Sequence, residues 1–224
     1  IQTVVELDQV IFGDDPLSNG RYLAKLSRLG LPPWIVRWLE SYLASRKAFV
    51  KVQDARSNTF SIPSGVPQGS HLGPLIFVLF INDVCDHLSS CKLLYADDLK
   101  IYRVIKSIVD CCALQTDIER LTLWCQMNGM LANTTKCKVI TFSRGQSPIK
   151  FEYSMNQSPL DRVNSIKDLG LILDGKLRFN EHISMTIAKA NSMLGFLRRN
   201  TAEFDDVHVM KSLYCSLVRS VLEY

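Results

Sequence analysis

Apolar and polar positions alternate between two periods along this chain, and the changes of period mark its elements. Ile35, Trp38, Leu39, Tyr42 and Leu43 recur at helical spacing, predicting a helix from Pro33 to Ser45. Phe49–Val52 and Thr59–Ile62 alternate like strands across a polar loop, predicting a hairpin. A glycine-rich stretch from Ser64 to Gly73, which also holds Pro67, then leads into an apolar run at helix length, Leu75–Leu88. Lys92–Ala96, Asp97-Asp98 and Leu99–Tyr102 read as strand, tight turn and strand. Leu114, Ile118, Leu121 and Trp124-Cys125 predict a further helix with Gly129 as its stop. Val139–Phe142, Phe151–Tyr153 and Leu169–Leu173 are strand candidates.

The last stretch changes character. Ile183, Ile187, Ala190, Leu194 and Leu197 make one helical stripe, and Val207, Met210, Leu213, Tyr214, Leu217 and Val221 make a second. Asp205 or Asp206 is placed to cap the second. The pattern predicts an α+β body leading into an all-helical tail.

Composition narrows the class. Of 224 residues, 47% are apolar and 21% charged, enough apolar side chain for a sizeable core and against disorder. The net charge of +4 admits a polyanionic partner without requiring one. Seven cysteines are scattered with no Cys-x-x-Cys pair, which fits a reducing compartment and no zinc site. The run Leu75–Ile81 is far shorter than the roughly 20 residues of a membrane span, and no signal-peptide pattern opens the chain. A start at Ile1, close to a strand-like Val4-Val5, reads as an excerpt from a longer protein.

Two adjacent carboxylates in the turn of an apolar hairpin repel each other, and a divalent cation relieves that repulsion. Mg²⁺ takes oxygen ligands and sits between carboxylates and a substrate's phosphates. An isolated Asp-Asp is otherwise an ordinary turn pair. The surroundings decide between these. Ser64-Gly65-Val66-Pro67-Gln68-Gly69-Ser70, Leu72–Phe77 and Phe80-Ile81-Asn82-Asp83 precede Tyr95-Ala96-Asp97-Asp98, and Trp124-Cys125, Asn128-Gly129, Asn133 and Lys136-Cys137-Lys138 follow. Leu169-Gly170, Leu173-Asp174, Phe179 and His182-Ile183 come next, then Leu194–Arg199 and Tyr214. In this order the segments resemble the reverse transcriptases of non-LTR (jockey/I-like) retrotransposons over roughly residues 21 to 224.

The resemblance implies a polymerase palm, an antiparallel ferredoxin-like sheet with packed helices, followed by the start of a helical thumb, with the fingers largely missing. It assigns 1–166 to palm with residual fingers elements, 167–180 to a primer-grip-like segment and 181–224 to the beginning of the thumb. It implies RNA-directed DNA synthesis by two Mg²⁺ ions (Mn²⁺ as substitute) on an RNA template, a DNA primer and dNTPs. No membrane and no small-molecule cofactor are implied, and the setting is an intracellular ribonucleoprotein of cytoplasm and nucleus. Asp97 and Asp98 would be catalytic metal ligands, with Gly65, Pro67, Gln68, Gly69, Tyr95 and Lys136 contacting substrate. Arg198-Arg199 would meet a phosphate backbone or simply complement a helix C-terminus.

The family's third carboxylate comes from an earlier strand, followed six residues later by a second Asp. Asp8 and Asp14 keep that spacing, but the residues between do not match. Asp8 is the first choice, with Asp14 or Asp15 in reserve. The departure points to a decayed copy or a shifted frame near the N-terminus. Two alternatives follow: an inactive descendant that only binds nucleic acid, and an intron-maturase-like RNA-binding protein.

Overall fold

The computed structural model describes residues 2–7, 10–12, 18–62, 65–67, 69–145 and 148–224. The chain folds as two compact units, 1–163 and 164–224.

The first unit is mixed α/β, centred on a five-stranded sheet. Its middle strand, β1 (Gln2–Leu7), is followed by β2 (Val10–Phe12), and helices α1 (Ser18–Arg28) and α2 (Pro33–Leu43) come next. Pro33 opens α2, where its missing N–H costs no hydrogen bond. Four two-residue strands, β3 (Lys47–Ala48), β4 (Lys51–Val52), β5 (Ala55–Arg56) and β6 (Phe60–Ser61), nest as one hairpin, β3 with β6 and β4 with β5.

The apolar run forms α3 only over Gly73–Ile81 and then tightens into a 3₁₀ turn, Asn82–Cys85, as the sequence turns polar. Strands β7 (Cys91–Tyr95) and β8 (Asp98–Val104) precede the long helix α4, Ile108–Met127. That helix starts six residues before its first predicted apolar position because Ser107 and Asp110 form a capping box. It ends where Gly129 turns left-handed, at φ 66°. The unit closes with β9 (Met130–Ala132), β10 (Lys138–Phe142), β11 (Ser154–Met155), β12 (Ser158–Pro159) and β13 (Asp161–Val163).

The sheet order is β13-β10-β1-β8-β7, with β1 antiparallel to both neighbours and β13 parallel to β10. Side chains alternate across a strand, so Leu99 and Ile101 of β8 bury on the core face with Val5 of β1. They share one core with Leu114, Ile118 and Leu121 of α4, which are 0–1% exposed. Each such side chain contributes roughly 1.5–3 kcal/mol. Phe151–Tyr153 does not form the predicted strand. Phe151 and Tyr153 instead pack ring against ring at 5.0 Å, and the Phe151 carbonyl accepts a bond from Arg162.

The second unit has a hairpin, β14 (Ser165–Asp168) with β15 (Leu171–Asp174), so Leu169-Gly170 is a turn rather than the start of a strand. Helix α5 (Asn180–Asn200) follows. Helix α6 (Val207–Tyr214) runs through a π-helical turn, Cys215–Arg219, into α7 (Ser220–Leu222). Asp206 is the cap of α6, accepting from the His208 and Val209 backbone N–H groups. Ala190, Leu197 and Val218 form this unit's small core. No helix among the described residues is long and apolar enough to cross a membrane.

Candidate functional site

Strands β7 and β8 pair from Cys91↔Tyr102 to Tyr95↔Asp98, which leaves Ala96 and Asp97 as a two-residue turn. Ala96 holds φ at 52°, the left-handed geometry such hairpins need and one that strains a residue carrying a Cβ. The turn presents Tyr95 and Asp97 to solvent and starts β8 with a half-buried Asp98.

Register settles what surrounds Asp98. The last β1–β8 pair is Leu7↔Leu99, one residue from Asp98, and the last β1–β10 pair is Glu6↔Lys138. One end of the sheet therefore carries the end of β1, the start of β8 and the start of β10. Lys136 lies two residues before β10 begins, with its side chain exposed. Asp8, the residue after Leu7, falls outside the described residues, as do Asp14, Asp15 and Gln68.

Asp98 and Lys100 lie two apart on β8 and so share a face, opposite Leu99 and Ile101. Lys100 is 8% exposed, and its Nζ donates to Asp98 Oδ2 at 2.7 Å. Asp98 Oδ1 is buried with no hydrogen-bond partner among the described residues. A buried carboxylate oxygen without a donor is costly and calls for a partner, which a water or a cation supplies. With Asp97 exposed at the preceding position of the chain, the turn offers the hard oxygen donors that Mg²⁺ or Mn²⁺ takes, so these residue types fit a divalent ion. Among the described residues no group of three or more His, Cys, Asp or Glu side chains converges, so the turn supplies a partial ligand set.

Gly65, Pro67 and Gly69 sit on the loop before α3. Gly65 and Gly69 take φ of 83° and 82°, backbone that favours glycine. The Ser70 hydroxyl donates to the Pro67 carbonyl at 2.8 Å and accepts from the Gly73 N–H at 2.9 Å, tying the loop to the helix start.

Sequence patterns alone missed two supports. Asp117, fully buried on α4, accepts from the Ser89 N–H, the Ser89 hydroxyl and the Ser90 N–H at 3.0, 2.9 and 2.7 Å, fixing the start of β7. Arg120 donates to it at 3.1 Å, and Arg103 of β8 donates to both serine hydroxyls. Burial pushes the Asp117 carboxyl up, but the Ser90 and Ser89 donors together outweigh it and hold it below the usual range. The second is Lys25 of α1, whose Nζ donates to the Phe80 carbonyl and to Asp83 at 2.9 and 2.6 Å, 4.4 Å from the Trp124 ring centre. Trp124 also donates to Asp83 at 3.1 Å, which makes it a packing residue. Lys25, Asp83, Arg120 and Trp124 line a groove of about 790 Å³, but their polar groups are committed to one another and to Asp117. The sequence pattern set Asp98 in the turn, whereas the register makes the turn Ala96-Asp97 and starts β8 at Asp98, on one face with Lys100; the Asp117 clamp, which joins residues 27 and 28 apart, had no local signal.

Comparison with known proteins gives the same lineage for the chain. The family model described as "Reverse transcriptase (RNA-dependent DNA polymerase)" matches residues 21–173. The "RNA-directed DNA polymerase from mobile element jockey" of Drosophila melanogaster is 31% identical over 173 residues, 72% of this chain and 18% of the relative. Its Drosophila funebris counterpart is 31% identical over 163 residues, 69% of this chain and 18% of that protein. The "Probable RNA-directed DNA polymerase from transposon BS" of Drosophila melanogaster is 30% identical over 178 residues, 71% of this chain and 19% of the relative. The chain thus spans under a fifth of the length of these curated relatives.

Proposed function

The chain belongs to the reverse transcriptase family, as a domain of the non-LTR retrotransposon kind, and from that premise we propose that it carries the polymerase active site of an RNA-directed DNA polymerase. In this reading residues 1–166 are palm with residual fingers elements, 167–180 a primer-grip-like segment and 181–224 the start of the thumb. The substrates are an RNA template, a DNA primer and dNTPs, and the product is a primer extended at its 3′-OH.

One observation carries this reading: the turn displays Asp97 beside Asp98, whose Oδ1 is buried without a donor among the described residues, at the sheet end where β1 finishes. Reverse transcriptases generally use divalent metal ions. When bound, such ions lower the pKa of an attacking hydroxyl and neutralise leaving phosphates. Asp97 and Asp98 are the residues that would hold them here, with Asp8, which follows Leu7 in the chain, proposed as a third ligand. Lys136, near the same sheet end, is suited to triphosphate charge. The left-handed glycines around Pro67 suit close approach of backbone to a base pair, and Gln68 adds a donor and an acceptor. Tyr95 stands exposed at the turn, where a nucleotide's sugar would pass.

The test is Asp97→Asn in a complete active parent polymerase, which removes an ionised ligand while conserving shape. Primer extension on an RNA template is expected to be abolished. Extension at the parental rate would sink the metal-site assignment.

A further inference from the structure

Lys100 is the element of this site for which polymerisation as proposed above has no use. Its ammonium is 8% exposed, on the strand face that carries Asp98, and binds that carboxylate at 2.7 Å. A buried ammonium needs an anion, and a buried carboxylate needs a cation. The pair therefore neutralises one site ligand with a charge belonging to the chain itself. Asp98 keeps its other oxygen, Oδ1, buried and without a donor among the described residues.

A divalent ion on Asp98 would meet an ammonium only one carboxylate away. Like charges at that separation in a partly dry site repel strongly. The ion and Lys100 then compete for the same carboxylate. We propose that Lys100 is a resident counter-cation that holds Asp98 in place before metal arrives, and that metal binding displaces its Nζ from Asp98. The inference rests on Asp98 being a metal ligand. Its energetic consequence is linkage: the intrinsic affinity for metal is reduced by the fraction of molecules in which Lys100 occupies Asp98. Lys100 is thus a positioning residue that sets metal affinity, and it touches no reacting atom.

The test uses the full chain and Mn²⁺ as probe, with free ion counted by its paramagnetic resonance signal. Lys100→Met keeps the length and apolar stem of the side chain and removes the charge, and Lys100→Arg keeps the charge. We expect Lys100→Met to bind Mn²⁺ about tenfold more tightly than the unmodified chain, a modest share of the Coulomb repulsion at this distance. Lys100→Arg should stay within about twofold, since it keeps the repulsion. In the unmodified chain, brief lysine acylation read by mass spectrometry should label Lys100 poorly without metal and readily at saturating Mn²⁺. This readout needs no variant to fold. Asp98→Asn separates the two ideas. If it leaves Mn²⁺ affinity unchanged, Asp98 is no ligand and both readings fall. If it weakens binding while Lys100→Met binds no more tightly, or Lys100 labelling ignores Mn²⁺, the metal site stands and the counter-cation role is overturned.

Discussion

Asp117→Asn should destabilise the first unit by about 3 kcal/mol, the low end for breaking a buried charge pair. The native carboxylate is fully buried and accepts four donors, from Ser89, Ser90 and Arg120. Asparagine keeps one acceptor oxygen and replaces the other with an NH₂ group. Whichever way that amide turns, a donor faces donors, and Arg120 loses its anion. For a unit of this size about 3 kcal/mol corresponds to a fall in Tm of roughly 6–12 °C. All three tryptophans, Trp34, Trp38 and Trp124, lie in residues 1–163, so tryptophan fluorescence reports this unit during thermal unfolding.

A second reading comes from pH. The folded carboxyl lies below its unfolded value of about 3.9, so its stabilisation is present above that pH and is lost as pH falls through the folded value. The gap between the native chain and Asp117→Asn should be full at pH 7 and shrink below about pH 4. A Tm within about 2 °C of the native chain at pH 7, where the scale is several degrees per 2 kcal/mol, would refute the clamp. So would a gap that does not narrow in acid.

Gly170→Ala should destabilise the second unit by about 1–3 kcal/mol, since a residue with a Cβ is forced to left-handed backbone. Its φ is 92° and the new Cβ would lie 2.8 Å from Tyr224 Cε1, so hydrogen exchange should quicken across the β14–β15 hairpin; unchanged exchange would contradict it. In a complete active parent, Gly73→Ala should lower kcat/KM by about tenfold to a hundredfold, as displacements near 1 Å do. The added Cβ would meet the Pro67 backbone carbonyl at 2.9 Å and push the loop away from the α3 start, and steady-state kinetics at parental rates would count against that. Alkylation of the native chain followed by mass spectrometry should label the exposed Cys91 and Cys112 and spare the buried Cys111, Cys125 and Cys137. Burial pushes the Cys125 thiol up to about 12, leaving almost no thiolate at neutral pH; early labelling of Cys125 would show the core open.

Much of the fold was written locally. The α2 stripe, the Gly129 stop and the strand–turn–strand around Asp97-Asp98 depend on residues within a few positions of one another, and they stand within a few residues of the pattern. The Asp206 cap resolved from two neighbouring candidates, because only its side chain reaches the His208 and Val209 N–H groups. Phe151–Tyr153 misled for the opposite reason. Its aromatic residues are there to pack a core, and a strand exists only where a neighbour offers a free edge.

The order of segments carried the family, and with it the expectation of a carboxylate site. The sequence alone determined that two adjacent carboxylates stand at the turn of an apolar hairpin, whereas the register moved Asp98 out of that turn and onto one strand face with Lys100. Only the tertiary structure decided that β1 runs between β8 and β10, so that the end of the first strand meets the start of Asp98's. It also decided that α4 reaches back through Asp117 to hold the hairpin's base, and that Lys100 is buried with its ammonium on Asp98. Periodicity reports one element's own faces, whereas strand order, buried charge pairing and an oxygen left without a donor depend on what the rest of the chain brings alongside.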